Sequence, residues 1–330
     1  MGSSPLPTSP VPDSALRSPQ NVSTLASSTW NVQTGASSDF FALQALDFYP
    51  RSITINAGDI IDYRVASGSG GDAHTVAFVP SGQPVPAPND PNDLTPHGGN
   101  VVDGTQFVNS GLLLGGQHFK LRFTKPGTYT IYCLFHEPAM IMSVVVHPAG
   151  TGYPHTAQYY LDNSQPEEWA DLSEASQSLS VFPFAKGGTT FAAGLDPGLV
   201  HFPPPDSTVL RYINTSDPSK LSDEGSITIR VNTILTWVNL TSNEPHTVTF
   251  ARAGDSDLPP IPPDPAVNVA PPGHITEYDG TKIVNSGTFV GPAPAPHNQF
   301  HLKFTRPGRY LYGCLYHDNS RMIGWVTVTP

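Results

Sequence analysis

The chain has 330 residues, more than one β-domain usually needs, so two domains are expected. Only 13% of the residues are charged, whereas glycine and proline number 29 and 36, a balance that favours short strands and many turns. The formal net charge of −11 argues against nucleic acid as a partner and is compatible with cationic protein partners. No run of about 20 apolar residues is present, so no transmembrane segment is predicted.

The N-terminal segment differs in composition from the rest of the chain. Residues 1–37 are rich in Ser, Pro, Thr and Ala and lack a periodic apolar pattern, which predicts a disordered leader. The first residues, Met-Gly-Ser-Ser-Pro, contain no apolar core of a signal peptide. We therefore expect that a signal sequence has been removed or replaced.

Four sequence blocks recur in the same order in the two halves of the chain, and they indicate a tandem duplication. The matched pairs of blocks are 53–63 with 227–237, 72–78 with 244–250, 103–111 with 279–287, and 119–129 with 300–310. We predict one domain over 38–150, a linker over 151–188 and a second domain over 189–330. A short helix is expected in the linker, around Glu167–Ala175.

Each copy has the pattern of β-structure. Apolar residues alternate with polar ones, as at Ile53 and Ile55, and the Pro-Gly pairs after Lys125 and Arg306 indicate turns. Several short strands separated by turns over about 110 residues are typical of a β-sandwich. The sequence thus predicts an all-β protein of two tandem sandwiches.

The chain has two cysteines, and they occur in equivalent segments, Cys133-Leu-Phe-His136 and Cys314-Leu-Tyr-His317. A cysteine pair in an exported protein is commonly a disulfide. Here the two thiols belong to different repeats, so we expect them to lie too far apart for the bond.

A methionine follows each of these segments, and a histidine precedes each at a distance. Met140 and Met322 come after the loop histidine, while His74 and His246 lie 59 and 68 residues before the cysteines. A sandwich can bring a mid-domain strand end beside a loop near the domain's C-terminus. Thiolate, two imidazoles and a weak thioether form the ligand set of a mononuclear blue-copper site.

Two other chemistries fit parts of this pattern. Zinc also binds Cys and His, but a structural zinc site normally has four Cys or His ligands and no methionine. A Cys/His nucleophile pair is the third interpretation, although no oxyanion-hole signature or third member accompanies it. The methionine in each copy favours copper.

On these motifs, both copies resemble cupredoxins of the plastocyanin and pseudoazurin type, over about 38–150 and 189–330. The second copy reproduces the plastocyanin spacing, Cys-x2-His-x4-Met, and the first copy is one residue shorter. Met142 therefore stays open as an alternative to Met140. The resemblance implies two Greek-key sandwiches with one type 1 copper each, and the implied ligands are His74, Cys133, His136 and Met140, then His246, Cys314, His317 and Met322.

The resemblance also implies how such a protein works. It implies an electron carrier in the periplasm or outside the cell that serves redox-protein donors and acceptors. The loop histidine is expected near the surface, inside an apolar patch, as the electron portal. Tyr132, beside the first cysteine, is expected to provide a second exit, and Gly313 takes that place in the second copy.

An enzyme and a copper-delivery protein are the alternatives. Two-domain copper oxidases and nitrite reductases add an interfacial copper site, which needs further histidines, commonly as His-x-His pairs that this chain lacks. The histidines without an assigned role are His97, His118, His147, His155, His201, His274, His297 and His301. Glycosylation sequons occur at Asn21, Asn214 and Asn239 and are compatible with secretion.

Overall fold

The computed structural model of the protein describes most of the two repeats and the segment between them. The described residues are 27–38, 43–66, 73–86, 94–136, 139–178, 188–196, 207–214, 225–241, 244–259, 268–269, 273–289, 291, 295–317 and 322–330.

Both halves consist of short strands, and the described part of the chain has one α-helix, which lies between them. The strands of the first half are β1 Thr29–Ser38, β2 Leu43–Tyr49, β3 Ser52–Asn56, β4 Ile60–Val65, β5 Ala77–Phe78, β6 Pro96–His97, β7 Val101–Val102, β8 Val108–Ser110, β9 His118–Phe123, β10 Gly127–Tyr132 and β11 Ile141–His147. The helix is α1 Ala157–Ser178. The strands of the second half are β12 Thr190–Leu195, β13 Ser207–Ile213, β14 Ile227–Arg230, β15 Ile234–Leu240, β16 Thr249–Phe250, β17 Asn268–Val269, β18 Ile275–Tyr278, β19 Val284–Asn285, β20 Gln299–Phe304, β21 Gly308–Gly313 and β22 Ile323–Thr329.

Each half forms a sandwich, and one sheet is common to both. The first half contributes the sheet β3-β11-β10-β5-β8-β6, and the second half contributes its counterpart β14-β22-β21-β16-β19-β17. The other layer is a ten-stranded sheet, β18-β20-β15-β12-β13-β2-β1-β4-β9-β7, whose two halves repeat the same order outward from the centre. Neighbouring strands are often distant in sequence, as Greek-key connections require. The predicted all-β, two-sandwich fold is confirmed.

The alternating pattern of the strands explains the core. In β9, Leu121 and Phe123 are buried while their neighbours face solvent, and β20 buries Leu302 and Phe304 in the same way. Burying such side chains is the main favourable term of folding, about 25 cal/mol for each Å² of apolar surface.

The two sandwiches join through backbone pairing and through the helix. Strands β2 and β13 are antiparallel neighbours, with Leu43 opposite Val209. Helix α1 packs on β2 and β13, and its Leu172 contacts small apolar clusters that contain residues of both strands. The repeats therefore form one continuous structure.

Two sequence-based boundaries need correction. The predicted leader over 1–37 is wrong at its C-terminal end, because β1 begins at Thr29 and pairs in parallel with β4. Trp30, in β1, is only 6% exposed, so burial of apolar side chains orders this segment. The short helix expected within the linker is a helix of 22 residues, while 1–26 and 179–187 lie outside the described residues. In the described part of the chain, no helix has the length and apolarity to cross a bilayer.

Candidate metal centres

The cysteine loops of the two domains have the same backbone hydrogen bonds. The amide of Cys133 donates to the carbonyl of Met140 at 3.0 Å, and the amide of Met140 donates to the carbonyl of His136 at 3.1 Å. In the second domain the equivalent bonds, Cys314 to Met322 and Met322 to His317, are both 3.0 Å long. The shorter first loop thus closes in the same way as the second.

This correspondence distinguishes the two candidate axial methionines of the first domain. Met140 ends the loop at the place that Met322 takes in the second domain, and both side chains are fully buried. Met142 comes two residues after Met140, within β11, where it pairs with Ile131 and belongs to the apolar core. The backbone geometry favours Met140 as the thioether ligand.

The upstream histidines are fixed by isolated β-bridges. His74 exchanges backbone hydrogen bonds of 2.9 and 2.7 Å with Leu113, and His246 exchanges bonds of 3.1 and 2.9 Å with Phe289. Each bridge places its imidazole ring beside the cysteine loop of the same domain.

The side chains of each set converge closely. In the first domain the Nδ1 atoms of His74 and His136 are 3.1 Å apart and lie 3.8 and 3.4 Å from the sulfur of Cys133. In the second domain the sulfur of Cys314 lies 3.8 Å from Nδ1 of His246 and 3.3 Å from Nδ1 of His317. All six side chains are fully buried.

Both thiols are stabilised as thiolates, the form that binds metals. The backbone amides of Thr75 and Thr247 each donate to a cysteine sulfur at 3.3 Å. Burial raises the pKa of Cys314, but the charge of His317 and hydrogen bonds from both histidines lower it to about 5. The same balance holds the pKa of Cys133 well below its usual range.

Two glycines that the sequence-based interpretation did not single out shape the pockets. Gly35 in β1 and Gly194 in β12 have φ values of +66° and +72°, at register shifts in their strands. A Cβ atom on Gly35 would lie 2.0 Å from Nε2 of His74, and one on Gly194 would lie 2.3 Å from Nε2 of His246. Only glycine leaves room for the imidazole ring here.

The loop histidines lie inside the molecule, contrary to the expectation of a surface portal. His136 and His317 are both fully buried, because the two cysteine loops face each other across the domain interface. The rings of Phe135 and Tyr316, one from each loop, contact edge to face with centroids 5.2 Å apart. The aromatic residue that precedes each loop histidine thus packs against its counterpart in the other domain.

A single buried carboxylate lies between these two histidines. Oε2 of Glu244 is 2.9 Å from Nε2 of His136, and Oε1 is 2.8 Å from Nε2 of His317. Burial lowers the pKa of His136, but the charges of Glu244 and Cys133 outweigh burial and raise it to about 10. Burial also raises the pKa of Glu244, and the two histidines outweigh this effect and hold it well below its usual range.

The remaining described histidines do not join these groups. His118 contacts Asp62 at 2.8 Å, His301 contacts Thr236 at 2.9 Å, and His155 stacks on Tyr159. Among the residues that the structure describes, only the two His/Cys/His sets bring three such ligand atoms within 4.8 Å of one another. His201 lies outside the described residues.

Comparison with known proteins finds a family that matches the first repeat. Residues 38–147 match the model of the copper-binding proteins of the plastocyanin/azurin family. The match covers the first repeat, and this part of the chain is similar to the cupredoxins. A plastocyanin from Dryopteris crassirhizoma is 29% identical over 93 residues, which cover 28% of this chain and 78% of that protein.

Solved structures of amicyanin are also similar to part of the chain. A reduced-state amicyanin mutant is 20% identical, covers 36% of this chain and 82% of its own, and gives a TM-score of 0.24. A Cu(I) form of another amicyanin mutant is 19% identical over the same shares, with a TM-score of 0.25.

The donor set fits the metal that the family binds. In each domain two imidazole Nδ1 atoms converge on one cysteine sulfur in a buried pocket, with a buried methionine next to the loop histidine. Nitrogen and soft sulfur donors of this kind suit copper. The similarity to this family supports a copper-binding role in electron transfer.

Proposed function

We propose that the protein is a single-electron carrier with one type 1 copper site in each domain, acting in the periplasm or outside the cell. The proposed ligands are His74, Cys133, His136 and Met140 in the first domain, and His246, Cys314, His317 and Met322 in the second. The observation that carries this proposal is the presence of two equivalent, fully buried His/Cys/His sets in one chain.

The surroundings of both sets suit fast electron transfer. Bound copper would supply a one-electron couple between Cu(I) and Cu(II). The protein holds the thiolates with the amides of Thr75 and Thr247 and fixes the upstream histidines by paired backbone bonds. A rigid, dry ligand cage lets a metal change oxidation state with little rearrangement.

The carrier is favoured over the enzyme and delivery alternatives. An oxidase or nitrite-reductase-like enzyme needs an interfacial metal site, and the interface between the cysteine loops holds Glu244 and the two loop histidines, whose Nδ1 atoms face the cysteines. A delivery protein needs a site from which the metal can leave, whereas both sets here are fully buried. We expect redox proteins as partners, and the net charge of −11 favours cationic ones.

The location rests on the usual habitat of the family. Two of the three sequons lend it no support in the folded protein, because Asn214 and Asn239 are only 7% and 1% exposed, and Asn21 lies outside the described residues. Asn239 instead donates to the carbonyl of Glu244 at 2.9 Å.

Copper analysis of the wild type and of two cysteine variants tests the proposal. We expect two coppers per wild-type chain, and one each in Cys133→Ser and Cys314→Ser, because each substitution removes the thiolate of one set. In each variant the visible thiolate-to-copper absorption and the type 1 EPR signal should fall to about half of the wild-type intensity, since one of two thiolate ligands remains.

Other stoichiometries would contradict it. A single copper per wild-type chain would show that one of the two proposed sites does not bind copper. Three or more coppers per chain would favour the enzyme. Loss of both coppers in a variant with wild-type far-UV circular dichroism would show that the two sets do not bind copper independently.

A further inference from the structure

The position of Glu244 concerns both metal centres at once. Its carboxylate is fully buried, and each of its oxygens contacts the loop histidine of a different domain. A buried charge is costly unless it is paired. One partner, His136, belongs to the ligand set of the first domain, and the other, His317, belongs to that of the second. The carboxylate can contact both only because the two domains meet here.

The contacts agree with the way the histidines face their cysteines. Nδ1 of His136 and Nδ1 of His317 point toward the sulfur atoms, at 3.4 and 3.3 Å, which leaves Nε2 of each ring toward Glu244. A histidine that ligates through Nδ1 carries its proton on Nε2, and a carboxylate at that nitrogen fixes the tautomer and raises the basicity of the ring. Each oxygen of Glu244 can serve one such ring.

Two side chains from the end of β15 and the residues after it hold the backbone carbonyl of Glu244. Its carbonyl accepts from the side chains of Asn239 at 2.9 Å and Thr241 at 2.6 Å, and Asn239 in turn accepts from the amide of Thr241 at 2.8 Å. All three residues are buried. The carboxylate is therefore positioned before any metal binds.

We propose that Glu244 is a positioning residue shared by both copper sites, and that His136, Glu244 and His317 form the route by which the two domains exchange an electron. This inference rests on the proposed function. It makes each domain the redox partner of the other at its loop histidine, the surface that a single-domain carrier would offer to an external protein.

The electron exchange between the two sites needs no reagent from outside the chain. With copper in both sites, one electron would leave the reduced site, giving Cu(II), and enter the oxidised site, giving Cu(I), while both Nε2 protons would stay on the histidines. An oxidised site of Cu(II) and one thiolate has one net positive charge, so the carboxylate stabilises the oxidised form at both ends. Removing this charge should therefore raise both reduction potentials.

The test compares Glu244→Gln with Glu277→Gln. Glutamine keeps the size of the side chain but offers one acceptor oxygen to two N–H donors and has no charge. Glu277 is an exposed carboxylate of the same domain, paired with Lys303 at 2.9 Å, and serves as the control for loss of a charge. Each substitution is made in the wild type and in Cys133→Ser and Cys314→Ser, which isolate one site each.

Three results are expected from the copper-loaded proteins. Glu244→Gln should lower the copper affinity of both isolated sites about 10- to 100-fold, the usual effect of losing an outer partner of a ligand. It should raise the reduction potential of both, while Glu277→Gln changes neither. The third experiment uses proteins with both copper sites, each carrying Met322→Gln so that the two absorption bands can be separated. After flash reduction, a phase whose rate does not depend on protein concentration should report electron exchange between the sites. This phase should be lost in Glu244→Gln.

A measurement on the metal-free wild type keeps the inference testable if Glu244→Gln does not fold. The Nε2 protons of His136 and His317 should give NMR signals that are protected from exchange with water, each with a cross-peak to Glu244. Absence of these contacts would overturn the proposal.

The outcomes separate this inference from the proposed function. Suppose that the cysteine variants show one copper site in each domain. If Glu244→Gln then shifts only one reduction potential, or leaves the concentration-independent phase unchanged, the shared role of Glu244 is wrong and the carrier function stands. If fewer than two coppers bind to the wild type, the proposed function itself fails.

Discussion

Gly35 and Gly194 determine how closely an imidazole ring can approach the strand beneath it. At both positions the backbone is left-handed, and the space that a Cβ atom would fill is taken by the upstream histidine. The glycines thus place His74 and His246 at the depth where Nδ1 faces the cysteine sulfur. They act on the metal centres without offering a ligand atom.

Gly35→Ala should impair the copper site of the first domain alone. The new methyl group would displace the ring of His74 in addition to straining the backbone, whose cost at such a φ is roughly 1–3 kcal/mol. We expect one copper per chain in place of two, measured by metal analysis of the purified variant.

Gly58→Ala is the matched control. Gly58 also has a positive φ, of +102°, but an added Cβ would meet no atom within 4 Å. It should therefore lose stability through backbone strain and still bind two coppers. Equal copper loss in both variants would show that strain in general, and not contact with His74, empties the site.

Sequence reasoning at this scale found the side chains that could act as ligands and missed what shapes their pockets. Cys133 and Cys314 stand out because few residue types bind soft metals and the motif occurs twice. The composition of residues 1–37 predicts a disordered leader that includes Gly35, although Trp30 and Val32 before it alternate with polar residues as a strand does. Glu244 aligns with Asp72 in the repeats, which suggested equivalence and concealed a role that arises only where the domains meet; Asp72 lies outside the described residues.

At the scale of elements, helix α1 braces the strands where the two sandwiches join. Its Asp171 is buried and contacts Arg51 through two oxygens, at 2.7 and 2.8 Å, and accepts a hydrogen bond from the hydroxyl of Tyr49. Burial and the neighbouring carboxylate raise the pKa of Tyr49, so the phenol stays protonated and donates. The helix is thereby tied to β2 and to the turn that follows it.

Asp171→Ala should destabilise the whole protein. It leaves the buried hydroxyl of Tyr49 without this acceptor, and a lost buried hydrogen bond of this kind costs about 1–3 kcal/mol. Urea unfolding followed by circular dichroism measures the change. The control is Asp162→Ala on the exposed part of the same helix, where the carboxylate contacts only Gln158 among the bonds described, and it should change the free energy of unfolding by less than about 0.5 kcal/mol.

The linker shows why a helix can be underestimated from the sequence. Pro166 lies inside α1, and the polar composition of the segment gives only a weak apolar stripe. Contacts with β2 and β13 stabilise the helix, and tertiary contacts of this kind commonly override local propensity. Strands with strong alternation, such as β3 and β9, could be predicted from the sequence alone, whereas β1 falls within the predicted leader.

At the scale of the whole molecule, the duplication yields one continuous structure in place of two independent domains. The pairing of β2 with β13 makes a ten-stranded sheet, and the facing cysteine loops bury both loop histidines. The repeats and the two-sandwich fold could be predicted because they follow from local sequence patterns, namely the recurring blocks and the alternation of apolar and polar residues. The burial of the electron portals could not, because it depends on how the two copies face each other.

The enclosure of both loop histidines changes where the proposed carrier would bind external redox partners. With His136 and His317 enclosed, the proposed carrier would need another surface for electron exchange with other proteins, and the expected exit at Tyr132 stays a prediction. Tyr132 is half-buried at the end of β10, directly before Cys133.

The most direct test of the central claim is a crystal structure of the copper-loaded protein with anomalous diffraction measured at the copper edge. The account predicts two peaks per chain, one between His74, Cys133 and His136 with Met140 beside it, and one in the equivalent set of the second domain. Glu244 should lie between the two loop histidines. A single peak, a third peak at the interface, or a peak outside these sets would contradict the account.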